Sequence, residues 1–357
     1  MTLPVFIPKL PTVDELLPYL REIESAKYYS NFGPMVSRLH SKLAEYFGVQ
    51  VDQVVTLSNA TLALEGAIAT SSTGETVWLS PSWTYPATNL ALERCKVEFE
   101  FGDVDKDWRL IPKNSCSAIM DVCSFGDNLK LDRFTNRNRT ILVDAAASFP
   151  ALKNSGQQLN EYSGPIGVVV SFHPTKVLPG VEGGVFISNR PSWVEQIKTW
   201  SRFGMQVDSR VSELLGTNAK MSEYQAAVIL ASIKSYERLE IDWVRLHNYA
   251  KEISTSLGLN THPAMNRNML SSYWIIESEP ESIRKLEEAA IRCGFQTRRW
   301  WEYGCHQMPA FSHRNRFHLP NTERIAETTL GLPFHLFMDS QEFDIIHSAL
   351  AFAKEEF

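Results

Sequence analysis

The chain has 357 residues, 44% hydrophobic and 21% charged, with a formal net charge of −6 at pH 7, which suits a soluble globular protein with material for two domains, or one large domain and an appendage. The acidic balance argues against a nucleic-acid partner, since the longest basic patch is Arg298-Arg299. No apolar stretch approaches the roughly 20 residues of a membrane-spanning helix, and the amino terminus lacks the basic-then-apolar order of a secretory signal, so a cytosolic protein is expected.

Residues 11–48 read as two helical pieces broken at Asn31-Phe32-Gly33-Pro34, the second placing Val36, Leu39, Leu43 and Phe47 on one face. From residue 53 strands and helices alternate. Strands are predicted over 53–57, 76–79, 96–101, 117–122, 140–143, 168–172 and 184–187, with helices over 61–69 and 85–94. This alternation predicts an α/β domain whose mainly parallel sheet is covered on both faces. Beyond Ser222 the pattern becomes helical to about Leu257, as more than one helix. A strand over 272–277, a helix over 281–292 and a closing helix near 342–353 follow. The chain is therefore divided at 240/241, into an amino-terminal segment plus large domain and a smaller α+β domain over 241–357.

Ligands of open α/β sheets bind at the carboxyl ends of strands, where helix amino termini also point. Four places qualify. Asn59-Ala60-Thr61 stands between a strand and a helix, as an anion site or as an ordinary helix cap. Asp144 ends a strand and is followed by three alanines; it could hold a protonated ring nitrogen or cap a following helix. Lys176 lies between the runs Gly167-Val168-Val169-Val170 and Gly184-Val185-Phe186-Ile187, five residues after Ser171. A lysine there can form an imine with an aldehyde or reach solvent from its loop. The stretch 216–223, Gly-Thr-Asn-Ala-Lys-Met-Ser-Glu, could be a polar turn leading to a Ser222 helix cap. In this order an anion site, a strand-end Asp and a Ser-plus-Lys strand end are the parts pyridoxal phosphate needs. No metal site is read. The five cysteines lack CxxC spacing and are expected as buried or free thiols.

These segments resemble the DegT-like nucleotide-sugar aminotransferases, a fold-type I pyridoxal phosphate family, over nearly the whole chain. The resemblance is carried by "NFGPMVSRLHSKLAEYFGV", "NATLAL", "PSWTYPATNLAL", "VDAAASF", "SFHPTKVLPGVEGG", "GTNAKMSEYQAA" and "CHQMPAF". It implies an aspartate-aminotransferase-like three-layer large domain and a homodimer with shared active sites. Lys176 would bond to the cofactor and move the proton, and Asp144 would pair with the pyridinium nitrogen. Tyr85 would stack on the cofactor, Ala60, Thr61 and Ser171 would hold its phosphate, and Asn218 would reach the phosphate from the neighbouring subunit. Asn31, Arg298, Arg299, Trp300 and His306 become candidates near the substrate. Three positions depart from the pattern: Ala60 stands for Gly, Ala147 for a Gln or His that contacts the cofactor, and Lys220 for Arg.

The implied reaction passes an amino group from L-glutamate to a nucleotide-linked keto sugar, with the keto group at C4 of a 6-deoxyhexose, in amino-sugar biosynthesis of the polysaccharide or O-antigen type. Amination of a 3-keto sugar or keto-cyclitol, or a regulatory protein that binds the cofactor without turnover, are the alternatives. A nicotinamide-dependent oxidoreductase is disfavoured because no GxGxxG follows an early strand.

Overall fold

The computed structural model describes residues 2–355 except 74, 114, 136–138 and 316–317. α1 (Val13–Ala26) begins on a capping box in which Thr12 and Glu15 exchange backbone and side-chain hydrogen bonds. α2 (Pro34–Phe47) has proline in its first turn and ends on Gly48 at φ 71°. Between them Asn31 and Phe32 both adopt positive φ, which supplies the expected break. Val36, Leu39, Leu43 and Phe47 are buried along α2, the stripe their spacing predicts.

The large sheet contains β1 (Val54–Leu57), β2 (Val77–Pro81), β3 (Glu98–Gly102), β4 (Ala118–Val122), β5 (Thr140–Asp144), β6 (Ile166–Ser171) and β7 (Gly184–Ser188). Their spatial order is β1-β7-β6-β5-β4-β2-β3. Strands β6, β5, β4, β2 and β3 run parallel to one another, whereas β7 runs against both β6 and β1. Between the strands and after them come α3 (Ala60–Ser71), α4 (Pro86–Arg94), α5 (Gly156–Glu161), α6 (Pro191–Trp200) and α7 (Glu223–Lys234).

Alternation along the strands makes two cores. Ile119, Ile141, Val143, Val168 and Val170 join Leu39 and Leu43 of α2 and Ile229 of α7. Met120, Leu142 and Val169 join Leu64 and Ile68 of α3 and Ile197 of α6 on the opposite face. The three-layer α/β architecture expected from the sequence is present, and it places the carboxyl ends of β4, β5 and β6 side by side.

After Ser235 the chain continues as α8 (Tyr236–Ser256), and residue 240 lies inside this helix. A second, antiparallel sheet follows, with β8 (Asn260–Thr261), β9 (Trp274–Glu277) and β10 (Thr329–Leu332) in the order β10-β9-β8. It is accompanied by α9 (Pro263–Asn266), α10 (Pro280–Cys293), α11 (Pro320–Thr328) and α12 (Ser340–Glu355).

The sequence reading omitted α5, α6, β8, α9, α11 and β10. α6 carried a usable signal, since Trp193, Ile197 and Trp200 are buried at helical spacing behind Pro191. β10 did not: Thr-Leu-Gly-Leu is too short to show a period and is a strand because Leu330 and Gly331 pair with Ile276 and Ile275 of β9.

Candidate active site

A cavity of about 490 Å³ opens at the carboxyl ends of β4, β5 and β6 and reaches the start of β9. Ala60, Thr61, Tyr85, Asp144, Ser171, Lys176 and Arg298, all singled out in the sequence, line it.

The candidate anion-binding corner is the amino terminus of α3. Asn59 caps the helix, its Oδ1 accepting from the Leu62 N–H at 2.8 Å; the cap leaves other first-turn N–H groups without an intrahelical acceptor, which suits an anion. The helix start lies tight against β7. A Cβ on Gly184 would come within 2.6 Å of the Ala60 backbone, so glycine is required by space at this point. Ser171, the last residue of β6, is buried. Its Oγ accepts from the His173 N–H at 3.1 Å, leaving the hydroxyl hydrogen for a ligand.

Asp144 is the last residue of β5 and is buried. No helix begins behind it. Instead Oδ1 accepts the Ala146 N–H at 3.1 Å, and Oδ2 accepts the Thr88 hydroxyl at 2.7 Å. Thr88 in turn contacts Thr84 Oγ1 at 2.7 Å. Burial pushes this carboxyl above the usual carboxylate range, opposed by Thr88, by the Ala146 N–H and by the charge of Lys176. A buried carboxylate whose solvation is this thin favours a cationic partner in the cavity.

Lys176 does not run out to solvent. Its Nζ donates to Tyr273 Oη at 2.9 Å, so the loop after β6 meets the residue that precedes β9. Tyr273 is itself held by its N–H on Ser271 Oγ at 3.2 Å and by edge contacts with Phe125 and Trp300, ring centroids 5.3 and 5.0 Å away. Phe125 stacks on Trp301 at 4.5 Å. This aromatic wall closes one side of the cavity.

The donors and charges present match pyridoxal phosphate. A capped helix start and a buried hydroxyl suit a phosphate, a buried carboxylate suits a protonated ring nitrogen, and a primary amine stands in the same cavity. Tyr85 lies at the rim, 62% exposed, and can offer its ring to a ligand face.

Four candidates lie elsewhere. Asn218 is exposed, outside the cavity, with Oδ1 accepting from Lys220 Nζ at 2.5 Å. Burial first and Arg202 second lower the Lys220 pKa. Arg299 forks onto Glu287 of α10 at 2.8 and 2.6 Å, which occupies its guanidinium away from the cavity. His306 is buried, with Nδ1 at 2.6 Å from Ser82 Oγ and Nε2 at 3.3 Å from Glu323; it braces the chain behind the site. Asn31 is exposed in the turn before α2, its carbonyl accepting from the Tyr28 hydroxyl at 3.1 Å. Arg298, by contrast, lines the cavity with its guanidinium 5.1 Å from the Trp300 ring centroid.

Tyr273, Thr88 and Ser124 are cavity or network residues that sequence reasoning missed, whereas Trp300, a sequence candidate, lines the cavity. Thr88 was within reach, because Thr84 and Thr88 are four apart on either side of a helix start. Tyr273 lies 97 positions from Lys176, and no local pattern connects them.

The family model of the DegT/DnrJ/EryC1/StrS aminotransferases matches residues 12–351. This chain belongs to that family. It is a pyridoxal phosphate-dependent aminotransferase of fold type I. Among curated relatives, the chain is 28% identical to a dTDP-4-amino-4,6-dideoxy-D-glucose transaminase of Shigella dysenteriae, over 98% of this chain and 99% of that one. It is 23% identical to a UDP-2-acetamido-2-deoxy-3-oxo-D-glucuronate aminotransferase of Pseudomonas aeruginosa, over 89% and 90% of the two chains. Among solved structures, a putative PLP-dependent aminotransferase from Bacillus cereus superposes with a TM-score of 0.87 at 26% identity, covering 98% of this chain and 100% of that one. Among the described residues, no helix of this family member is long and apolar enough to cross a membrane, and no group of three or more His, Cys, Asp or Glu could hold a metal ion.

Proposed function

We propose that this aminotransferase moves an amino group from L-glutamate to a nucleotide-linked keto sugar, with the keto group at C4 of a 6-deoxyhexose, in amino-sugar biosynthesis. The observation that carries the reading is the Lys176 amine hydrogen-bonded to Tyr273 inside the cavity that Asp144 also lines. The Shigella relative, named for a 4-amino-4,6-dideoxy sugar, supports the C4 position.

When bound, pyridoxal phosphate supplies an aldehyde for amine exchange and a ring that withdraws electrons. The start of α3 and Ser171 would hold its phosphate, and the Asp144 carboxylate would keep its ring nitrogen protonated. Lys176 Nζ would take the proton from the donor's α-carbon and hold it for return to the carbon on the other side of the transferred nitrogen. Tyr273 Oη would hold that amine in line, and the Phe125–Trp301 wall would exclude water. In balance, the donor carbon exchanges its amino group and hydrogen for an oxygen taken from water and becomes a ketone, while the sugar ketone takes up the amino group and hydrogen, releases its oxygen as water and becomes an amine.

A second reading, amination of a 3-keto sugar or keto-cyclitol, is favoured by the Pseudomonas relative, whose name specifies a 3-oxo sugar. The experiment that separates the readings loads purified protein with cofactor and offers L-glutamate with a panel of nucleotide-linked 3-keto and 4-keto sugars. Formation of 2-oxoglutarate and an amine with the 4-keto members supports the proposal. Turnover confined to 3-keto members replaces it, and a cofactor spectrum that glutamate leaves unchanged favours a regulatory binder.

We further infer a cytosolic homodimer in which Asn218 serves the neighbouring site. Its exposed loop also presents Val207, Val211 and Leu215, the last 99% exposed, and such an apolar surface suits burial against a second copy. A monomeric mass in solution, by light scattering on the loaded protein, would refute this. The division at 240/241 belongs to the same proposal, with α8 as the connection between the two parts.

A further inference from the structure

Ser124 lies two residues past the end of β4, is 7% exposed and lines the cavity. Its Oγ has no hydrogen-bond partner among the described residues. A buried hydroxyl left unpaired is destabilising, and an acceptor atom of a ligand in the adjoining cavity would relieve it.

The surrounding backbone holds this hydroxyl in place. The Cys123 N–H donates to the Asp144 carbonyl at 2.9 Å, fastening the end of β4 to the end of β5. Ser271 Oγ donates to the Phe125 carbonyl at 2.6 Å. Phe125 itself has φ 55°, the left-handed region that bulky residues enter only when their surroundings enforce it. Ala147 also lines the cavity beside this turn, since a Cβ on Gly126 would come 3.4 Å from the Ala147 carbonyl oxygen. A methyl there gives Ser124 nothing to bond.

Strand order then indicates which ligand atom faces it. The phosphate anchors stand on α3 and at the end of β6, Asp144 ends β5, and Ser124 follows β4, in that order across the sheet. On the pyridoxal ring, the carbon bearing the phosphate arm and the carbon bearing the phenolic oxygen lie on opposite sides of the line from the ring nitrogen to the aldehyde carbon. With the phosphate toward β6 and the nitrogen at Asp144, the phenolic edge faces β4. We propose that Ser124 is the cofactor-recognition hydroxyl of this site, donating from Oγ to the phenolic oxygen of pyridoxal phosphate. The assignment rests on the reading of the cavity as the cofactor site. The phenolic oxygen carries negative charge in the bound form, so the bond is charge-assisted.

The test uses the full chain with Ser124→Ala and Ser124→Thr, and pyridoxal 5′-phosphate itself as the probe. Ser124→Ala raises the Kd for the cofactor about tenfold, while Ser124→Thr, which keeps the hydroxyl, stays within about twofold of the parent. The pH midpoint of the bound cofactor's visible absorption rises in Ser124→Ala, because the phenolic oxygen then holds the proton it shares with Lys176 Nζ more tightly. Removing an unpaired hydroxyl leaves the cofactor-free protein at least as thermally stable as the parent, which separates a lost ligand contact from a damaged fold. Unchanged affinity and midpoint in Ser124→Ala, with Lys176 still bonding the cofactor, overturn the Ser124 assignment and leave the proposed function standing. Failure of the parent chain to bind pyridoxal phosphate at all overturns both.

Discussion

Lys176 Nζ donates to Tyr273 Oη at 2.9 Å, joining the loop after β6 to the start of β9 across 97 positions of sequence. This bond keeps the amine in the cavity that Asp144 also lines. Tyr273→Phe retains the ring packing against Phe125 and Trp300 and removes only the acceptor. The expected result is a kcat lower by about tenfold, since a hydrogen bond to a charged group is worth roughly 1.5–3 kcal/mol, with Tm within a few degrees of the parent. Steady-state kinetics and a thermal melt check it; an unchanged kcat would remove Tyr273 from the machinery.

Asp144→Asn keeps an acceptor for the Thr88 hydroxyl but cannot hold a ring nitrogen protonated. Loss of one preorganised charge at a reacting centre costs about a hundredfold or more, so kcat should fall by that order with the fold intact. The cofactor-free protein offers a second readout. Burial raises the folded-state pKa of Asp144, so the folded chain keeps a proton that the unfolded chain releases. The stability this group contributes is fully present below its unfolded pKa of about 3.9 and is lost as pH rises through the folded value. Asp144→Asn should remove that part of the pH dependence, measured as the difference in Tm between variant and parent from about pH 4 upward.

Much of this site is legible in the amino-acid sequence, because strand-end residues are local features. Asp144 and Ser171 close apolar runs, Ala60 and Thr61 follow one, and Lys176 sits where an apolar pattern makes a lysine conspicuous. What the sequence hides are partners brought in by folding. Tyr273 and Ser124 gain meaning only once β9 and β4 lie beside the lysine loop. Arg298 and Arg299 show the limit from the other side. Adjacent and chemically identical in sequence, they point to different surroundings, one lining the cavity and the other paired with Glu287.

That difference gives a paired expectation. Arg298→Ala should raise KM for one substrate by about tenfold, the loss of a single charge-assisted contact, while cofactor affinity is unchanged. Arg299→Ala breaks a half-exposed pair with Glu287, worth about 1 kcal/mol at most. It should lower Tm by about 1–2 °C at most and leave KM alone. Initial-rate kinetics on both variants decide the matter, and a reversed pattern would relocate the substrate.

Gly184→Ala tests the phosphate corner through space alone. The added methyl would lie 2.6 Å from Ala60 backbone atoms and must push the start of α3 away from β7. Overpacking of this kind costs roughly 1–3 kcal/mol. Cofactor affinity, measured by equilibrium dialysis, should fall by about tenfold or more. Full affinity in a stable variant would show that the helix start does not hold the phosphate.

The most direct test of the whole account is chemical. The parent chain and Lys176→Ala are loaded with pyridoxal 5′-phosphate, reduced with borohydride and mapped by peptide mass. The account requires the stable adduct on the peptide containing Lys176 in the parent, and no adduct in a folded Lys176→Ala protein. An adduct on another lysine, or an undiminished one in the variant, would contradict it.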